Sequence, residues 1–73
     1  MTRFNGHKNW NHWNVSLWIN NDKGLYRMAQ HYASRYGKDG GARMLFEQDL
    51  KDTKTPDGAP YSLSSVRAAM VDM

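Results

Sequence analysis

"NWNHWNVSLWINNDKGLYRMA", residues 9–29, decides the fold of this chain. Trp10, Trp13, Leu17 and Trp18 stand at i, i+3, i+7 and i+8, a spacing that lines one side of a helix and does not alternate as a strand would. Asn9 or Asn11 is placed to cap the start by accepting a backbone N–H. Asn20 and Asn21 are placed to end it, because asparagine tolerates the left-handed conformation. The tryptophans are expected to pack as core residues, each able to bury roughly 150–250 Å², with neighbouring asparagine carbonyls as acceptors for their indole N–H groups.

Asp22 follows as the N-cap of a second helix, in which Leu25, Met28, Ala29, Tyr32, Ala33 and Tyr36 recur with helical period and Gly37 marks the end. On another side of that helix Lys23, Arg27, His31 and Arg35 are spaced by four and include no acid. Like charges at this spacing cost an isolated helix a few tenths of a kcal/mol per pair. A ridge that contributes nothing to its own helix is therefore the first candidate for a binding face.

Beyond it, "GKDGG" (37–41) reads as a flexible turn, and Ala42, Leu45, Phe46 and Leu50 as the inner face of a third helix, with Arg43, Glu47 and Lys51 paired at i+4 outside. "DTKTPDGAP" (52–60) reads as a reversing loop in which "TPDG" forms a β-turn with proline at i+1. Ser62 or Ser64 then caps a last helix whose Val66, Ala69, Met70 and Met73 face inward. The expected fold is all-α, a compact single-domain array of about four short helices spanning residues 1–73.

Composition narrows the function classes. A chain of 73 residues has room for one small core, and with no cysteine it has neither disulfides nor a thiolate for catalysis or zinc. No apolar run approaches the ~20 residues of a membrane span, and Met1–Gly6 lacks a signal core, which predicts a soluble cytoplasmic protein with no membrane partner. The net charge of +3 is unevenly placed: residues 1–38 hold six bases and one acid, residues 39–73 four bases and six acids. His7, His12 and His31 lack converging carboxylates, so no metal is expected. Glu47, Asp49 and Asp52 read as a solvated helix face, and Ser62, Ser64 and Ser65 lack a nucleophile elbow. No Gly-rich phosphate loop is present. An enzyme is not expected, and neither is a cofactor.

Asn5, Gly6, Trp13, Asn14, Val15, Leu17, Trp18, Ile19, Asn21, Asp22, Gly24, Leu25 and Tyr26, together with the late "KTPDGAPYSLSSVRAAM", carry a resemblance that covers most of the chain. It resembles a family of small proteins of unknown function scattered through bacteriophages, prophages and bacterial mobile elements. That resemblance implies an anti-defence protein, with an anti-CRISPR inhibitor favoured: one that binds a CRISPR effector subunit of the bacterial host and blocks target DNA recognition sterically. The basic character of the signature half argues against DNA mimicry. The expected partner-binding residues are Lys23, Arg27, His31, Arg35, Lys38 and Tyr36, with Tyr36 or Tyr61 as exposed aromatic anchor on an acidic partner surface.

The alternative is a small nucleic-acid-binding accessory or regulatory protein, in which the same ridge neutralises phosphates. A helix-turn-helix version, however, needs a tighter turn than "GKDGG" suggests. A third reading is an assembly factor that self-associates through the apolar Met70 and Met73 end; monomer or weak dimer is the expectation for the isolated chain.

Overall fold

Asn9 opens the first helix, its side chain accepting the His12 N–H at 3.0 Å. The computed structural model describes residues 9–71: helix α1 (Trp10–Asn21), helix α2 (Lys23–Leu45), a π-helical turn (Phe46–Leu50), a loop, and helix α3 (Leu63–Ala69). Asn5, Gly6, His7 and Met73, named above, lie outside the described residues. Among those described there is no strand, only an isolated antiparallel bridge between Lys54 and Pro60.

The core-facing side of α1 is not the tryptophan stripe. Asn14, Val15 and Ile19 are buried, whereas Trp10 and Leu17 keep 40% and 36% of their surface and Trp13 and Trp18 are only partly covered. At about 100° per residue, Ile19 lies half a turn from Trp10. The helical period is as expected, but the compact β-branched residues take the inside, where α1 packs on α3 and α2, and the bulky indoles are left outside or at the margin. Nor do asparagines end the helix in a left-handed conformation. Asp52, at φ 62°, is the one non-glycine residue with positive φ among those described, and the break falls instead at extended Asp22 (φ −86°, ψ 116°). Asp22 caps α2 as expected, accepting the Leu25 N–H at 3.0 Å.

Three helices replace the expected four. At Gly37 the backbone leaves the helix (φ 79°, ψ 173°), a left-handed excursion that suits glycine, but it resumes at once, so residues 38–41 are helical rather than a loop. The arm after Gly37 folds back onto the arm before it. A β-carbon added at Gly41 would lie 2.8 Å from the backbone nitrogen of Ala33 and from the carbonyl carbon and oxygen of Tyr32. The two arms touch because Gly41 has no side chain. After Leu45 the helix widens, and the Lys51 N–H reaches back five residues to the Phe46 carbonyl at 2.7 Å. The expected Arg43–Glu47–Lys51 pairs span this widened turn and do not form. Among the described residues the one ion pair is Arg67–Asp39, at 2.6 Å.

Ala29, Ala42, Leu45, Leu50, Ala59, Tyr61, Val66, Ala69 and Met70 complete the core with Val15 and Ile19. Met70 is fully buried in its own chain, so it is not available as the self-association surface expected of it. Ser62, not Ser64, caps α3. It accepts the Ser65 N–H at 3.1 Å while the Ser65 hydroxyl accepts the Ser62 N–H at 3.0 Å, a reciprocal capping box. Ser62→Ala is expected to lower stability by about 1 kcal/mol in a urea titration followed by helicity; an unchanged midpoint would show that the box contributes nothing.

The loop joins the two ends of the sequence signature. "TPDG" closes as expected, Gly58 N–H to the Thr55 carbonyl at 2.8 Å. It then presents Asp57 to α1, where one carboxylate oxygen accepts both the Asn14 amide and the Trp18 indole N–H at 2.9 Å. Asn14 in turn accepts the Thr55 hydroxyl at 2.5 Å, and Thr55 accepts the Ala59 N–H at 3.0 Å. The acceptor for an indole N–H is therefore a carboxylate 39 residues away rather than a nearby asparagine.

Candidate interaction surface

Lys23, Arg27, His31 and Arg35 are all exposed along the first arm of α2, before the break at Gly37. A rise of about 1.5 Å per residue spreads them over roughly 18 Å, one group every 6 Å. None of the four takes part in an ion pair among the described residues. His31 meets the Tyr32 ring edge-on at 5.7 Å.

Four of the chain's seven acids are engaged elsewhere. Asp22 caps α2, Asp39 pairs with Arg67, Asp49 accepts the Tyr32 hydroxyl at 3.1 Å, and Asp57 binds Asn14 and Trp18. These contacts leave the ridge uncompensated. They also perturb the groups that make them: the hydrogen bond to Asp49 raises the Tyr32 pKa above its ordinary 10.0, with smaller contributions from burial and from the Asp49 charge. The Asn14 amide, and after it the Trp18 indole, lower the Asp57 pKa below its ordinary 3.8.

Tyr36 stands at the end of the ridge arm, 47% exposed, stacked on Tyr32 with ring centroids 6.3 Å apart. It is accessible as the aromatic anchor the sequence suggested. Tyr61 is not: it is buried, and burial, followed by the Asp22 charge, raises its pKa. Lys38 lies beyond the kink, off the ridge arm, where its ammonium donates to the Val71 carbonyl past the end of α3. The structure thus groups five of the six expected residues on one arm and gives the sixth a partner within the fold.

Two features were missed by sequence reasoning. An open groove of about 410 Å³ lies at the kink, lined by Gln30, Ala33, Ser34, Gly37 and Lys38. Its five lining residues recur at i, i+3, i+4, i+7 and i+8, a helical spacing that could have marked one shared face before the break at Gly37. Trp10 and Leu17 form a second exposed apolar strip, on a helix with no Asp, Glu, Lys or Arg. Their spacing was legible, but its orientation was not.

Among the described residues no three His, Asp or Glu side chains come together as a metal-binding group, and no helix is long and apolar enough to cross a membrane. Comparison with curated proteins and with solved structures returns no match. One family description matches residues 1–73, joining in a single unit the tryptophan–asparagine block and the TPDG turn that the Asp57 bonds hold together: the chain belongs to the family of unknown function DUF7249.

Proposed function

We propose that this is a non-catalytic binding protein that docks the first arm of α2 onto an acidic protein surface. Lys23, Arg27, His31 and Arg35 supply charge, and Tyr36 supplies apolar contact. Following the resemblance to small phage and mobile-element proteins, the partner proposed is a subunit of a bacterial CRISPR effector complex, with target DNA recognition blocked by steric occlusion. The observation that supports a docking face is the uncompensated ridge: four carboxylates are engaged inside the fold while the three ridge cations have no ion-pair partner among the described residues. Exposed charges of this kind steer association and select partners more than they add affinity, and an adjacent tyrosine is a residue type enriched among binding hot spots.

The nucleic-acid alternative draws on one specific observation, the single-residue break at Gly37, which is tighter than the pentapeptide suggested and removes the objection to a helix-turn-helix arrangement. The two readings separate in one experiment. The tagged protein is used to capture partners from a CRISPR-carrying bacterium, with nuclease treatment, and retained proteins are identified by mass spectrometry. Retention of effector subunits is expected, together with loss of at least about tenfold in affinity for Arg27→Glu/Arg35→Glu at unchanged helicity. Unchanged binding by the double variant would sink the ridge assignment. Partners that vanish with nuclease, and an affinity that falls by about 0.9 log units per log unit of salt for each phosphate contacted, would transfer the ridge to nucleic acid.

A further inference from the structure

We propose that Asp57–Gly58 is a latent site of isoaspartate formation, held inactive in the folded chain by the bonds from Asn14 and Trp18 to the Asp57 carboxylate. An aspartate followed by glycine is chemically vulnerable because no side chain shields the next backbone nitrogen. The Gly58 nitrogen attacks Cγ of Asp57, and the N–Cγ bond forms. The amide proton and the carboxyl hydroxyl depart together as one water, leaving a five-membered succinimide. Water then adds to one of the two ring carbonyls. Opening at Cγ restores aspartate, whereas opening at the former main-chain carbonyl gives isoaspartate. One water leaves and one returns, so no other reactant is needed.

Three features of the fold oppose ring closure. One carboxylate oxygen is held toward α1 by two donors at 2.9 Å, so the carboxyl must give up both bonds before it can turn to its own main chain. The attacking nitrogen is occupied as well, its N–H donating to the Thr55 carbonyl at 2.8 Å. Finally, the two donors favour the ionised carboxylate, which is a poor electrophile compared with the neutral acid. The site is nevertheless exposed to the water that would complete the reaction. The product would change the main chain at this position. Isoaspartate adds a methylene to the main chain and shortens the carboxyl-bearing branch, so a carboxylate at position 57 could no longer meet Asn14 and Trp18 in the same geometry.

The chain has an internal comparison in Asp39–Gly40, the same dipeptide held within α2. Trypsin releases the two in separate peptides, residues 39–43 and 55–67, in each of which the isoaspartyl form can be separated from the aspartyl form by reversed-phase chromatography and identified by mass spectrometry. After incubation at physiological temperature and neutral pH, peptide 55–67 from native protein is expected to carry isoaspartate on the order of tenfold less than from protein kept in concentrated urea, the rate difference of a local opening that must precede reaction. Asn14→Ala should raise the native rate several-fold in peptide 55–67 and leave peptide 39–43 unchanged. Equal rates in native and urea-treated wild type would overturn the proposal, and that comparison requires no variant to fold. A rise in both peptides alike for Asn14→Ala would overturn the role of the clamp, as would no rise in a variant that keeps its helicity.

Discussion

Gly41→Ala is expected to destabilise the protein by about 2 kcal/mol net and to lower its melting temperature by roughly 8–16 °C, the shift that such a loss produces in a domain of 60–100 residues. The sign is the informative part. In an ordinary helix interior alanine is more favourable than glycine by about 1 kcal/mol, so helix propensity alone predicts stabilisation. Here the added carbon would sit 2.8 Å from three backbone atoms of Tyr32 and Ala33, none of which can rotate away as a side chain could. Separating the two arms of α2 to admit it costs about 3 kcal/mol, the upper range for overpacking, and outweighs the propensity gain. Gly40→Ala is the control. Its β-carbon would meet only the Tyr36 β-carbon, at 3.2 Å, and the expected change stays within about 1 kcal/mol of zero. Thermal melts of the two variants, followed by circular dichroism, decide the matter; a Gly41→Ala protein as stable as wild type would show that the arms do not cross this closely.

Asn14→Ala is the second large effect, expected to lower stability by about 2–3 kcal/mol. Asn14 is buried and links two partners on the loop, and its loss leaves the buried Thr55 hydroxyl without its acceptor and a gap where the amide stood. Asn14→Asp adds a pH signature that a packing defect would not produce. In the wild type the Asp57 pKa is depressed by the Asn14 amide first and the Trp18 indole second. Its contribution is therefore fully present above the ordinary value near 3.8 and is lost as pH falls through the lower folded value. In Asn14→Asp a carboxylate faces Asp57 in place of a donor. Like charges raise the pKa of one of the pair in the folded state, so stability should rise as pH is lowered from neutral to weakly acidic. Urea titrations at several pH values would reveal the reversed slope; parallel profiles for the variant and wild type would refute the contact between Asn14 and Asp57.

These two positions also show what was legible in advance. Local chemistry reads reliably from sequence because its partners are close in the chain. The cap at Asp22, the caps at Asn9 and Ser62 that were each one of two candidates, the inward faces around Ala29, Leu45 and Val66, and the TPDG turn all depend on contacts within a few residues. The exposed ridge follows from the same periodicity, since four residues in a row along one helix edge share one environment.

What failed was orientation and count. The tryptophan stripe had the period of a core face, yet period alone gives the angle between residues and not the direction in which the helix is turned. That direction is set by what packs best against α3 and α2, and Val15 and Ile19 fill that space with less bulk than three indoles. The glycines of 37–41 looked like a loop because glycine is poor in helices, whereas one of them serves as the bare surface that a second helical arm needs at close range. Tyr61 looked as available as Tyr36 until the loop carried it inward.

The sequence by itself determined a helical fold with no strand among the described residues, the candidate caps of its three helices, and the acid-free basic edge of the second one, because propensity, capping and charge spacing act over a turn or two. Only the tertiary structure decided that Asn14 and Trp18 share the Asp57 carboxylate, that Gly41 rests on Tyr32, and that Val15 and Ile19, not the indoles, take the core side of α1. Each of these joins groups separated by anything from several residues to more than half the chain, and the free energy that selects them comes from packing and desolvation at contacts that do not exist until the chain has folded.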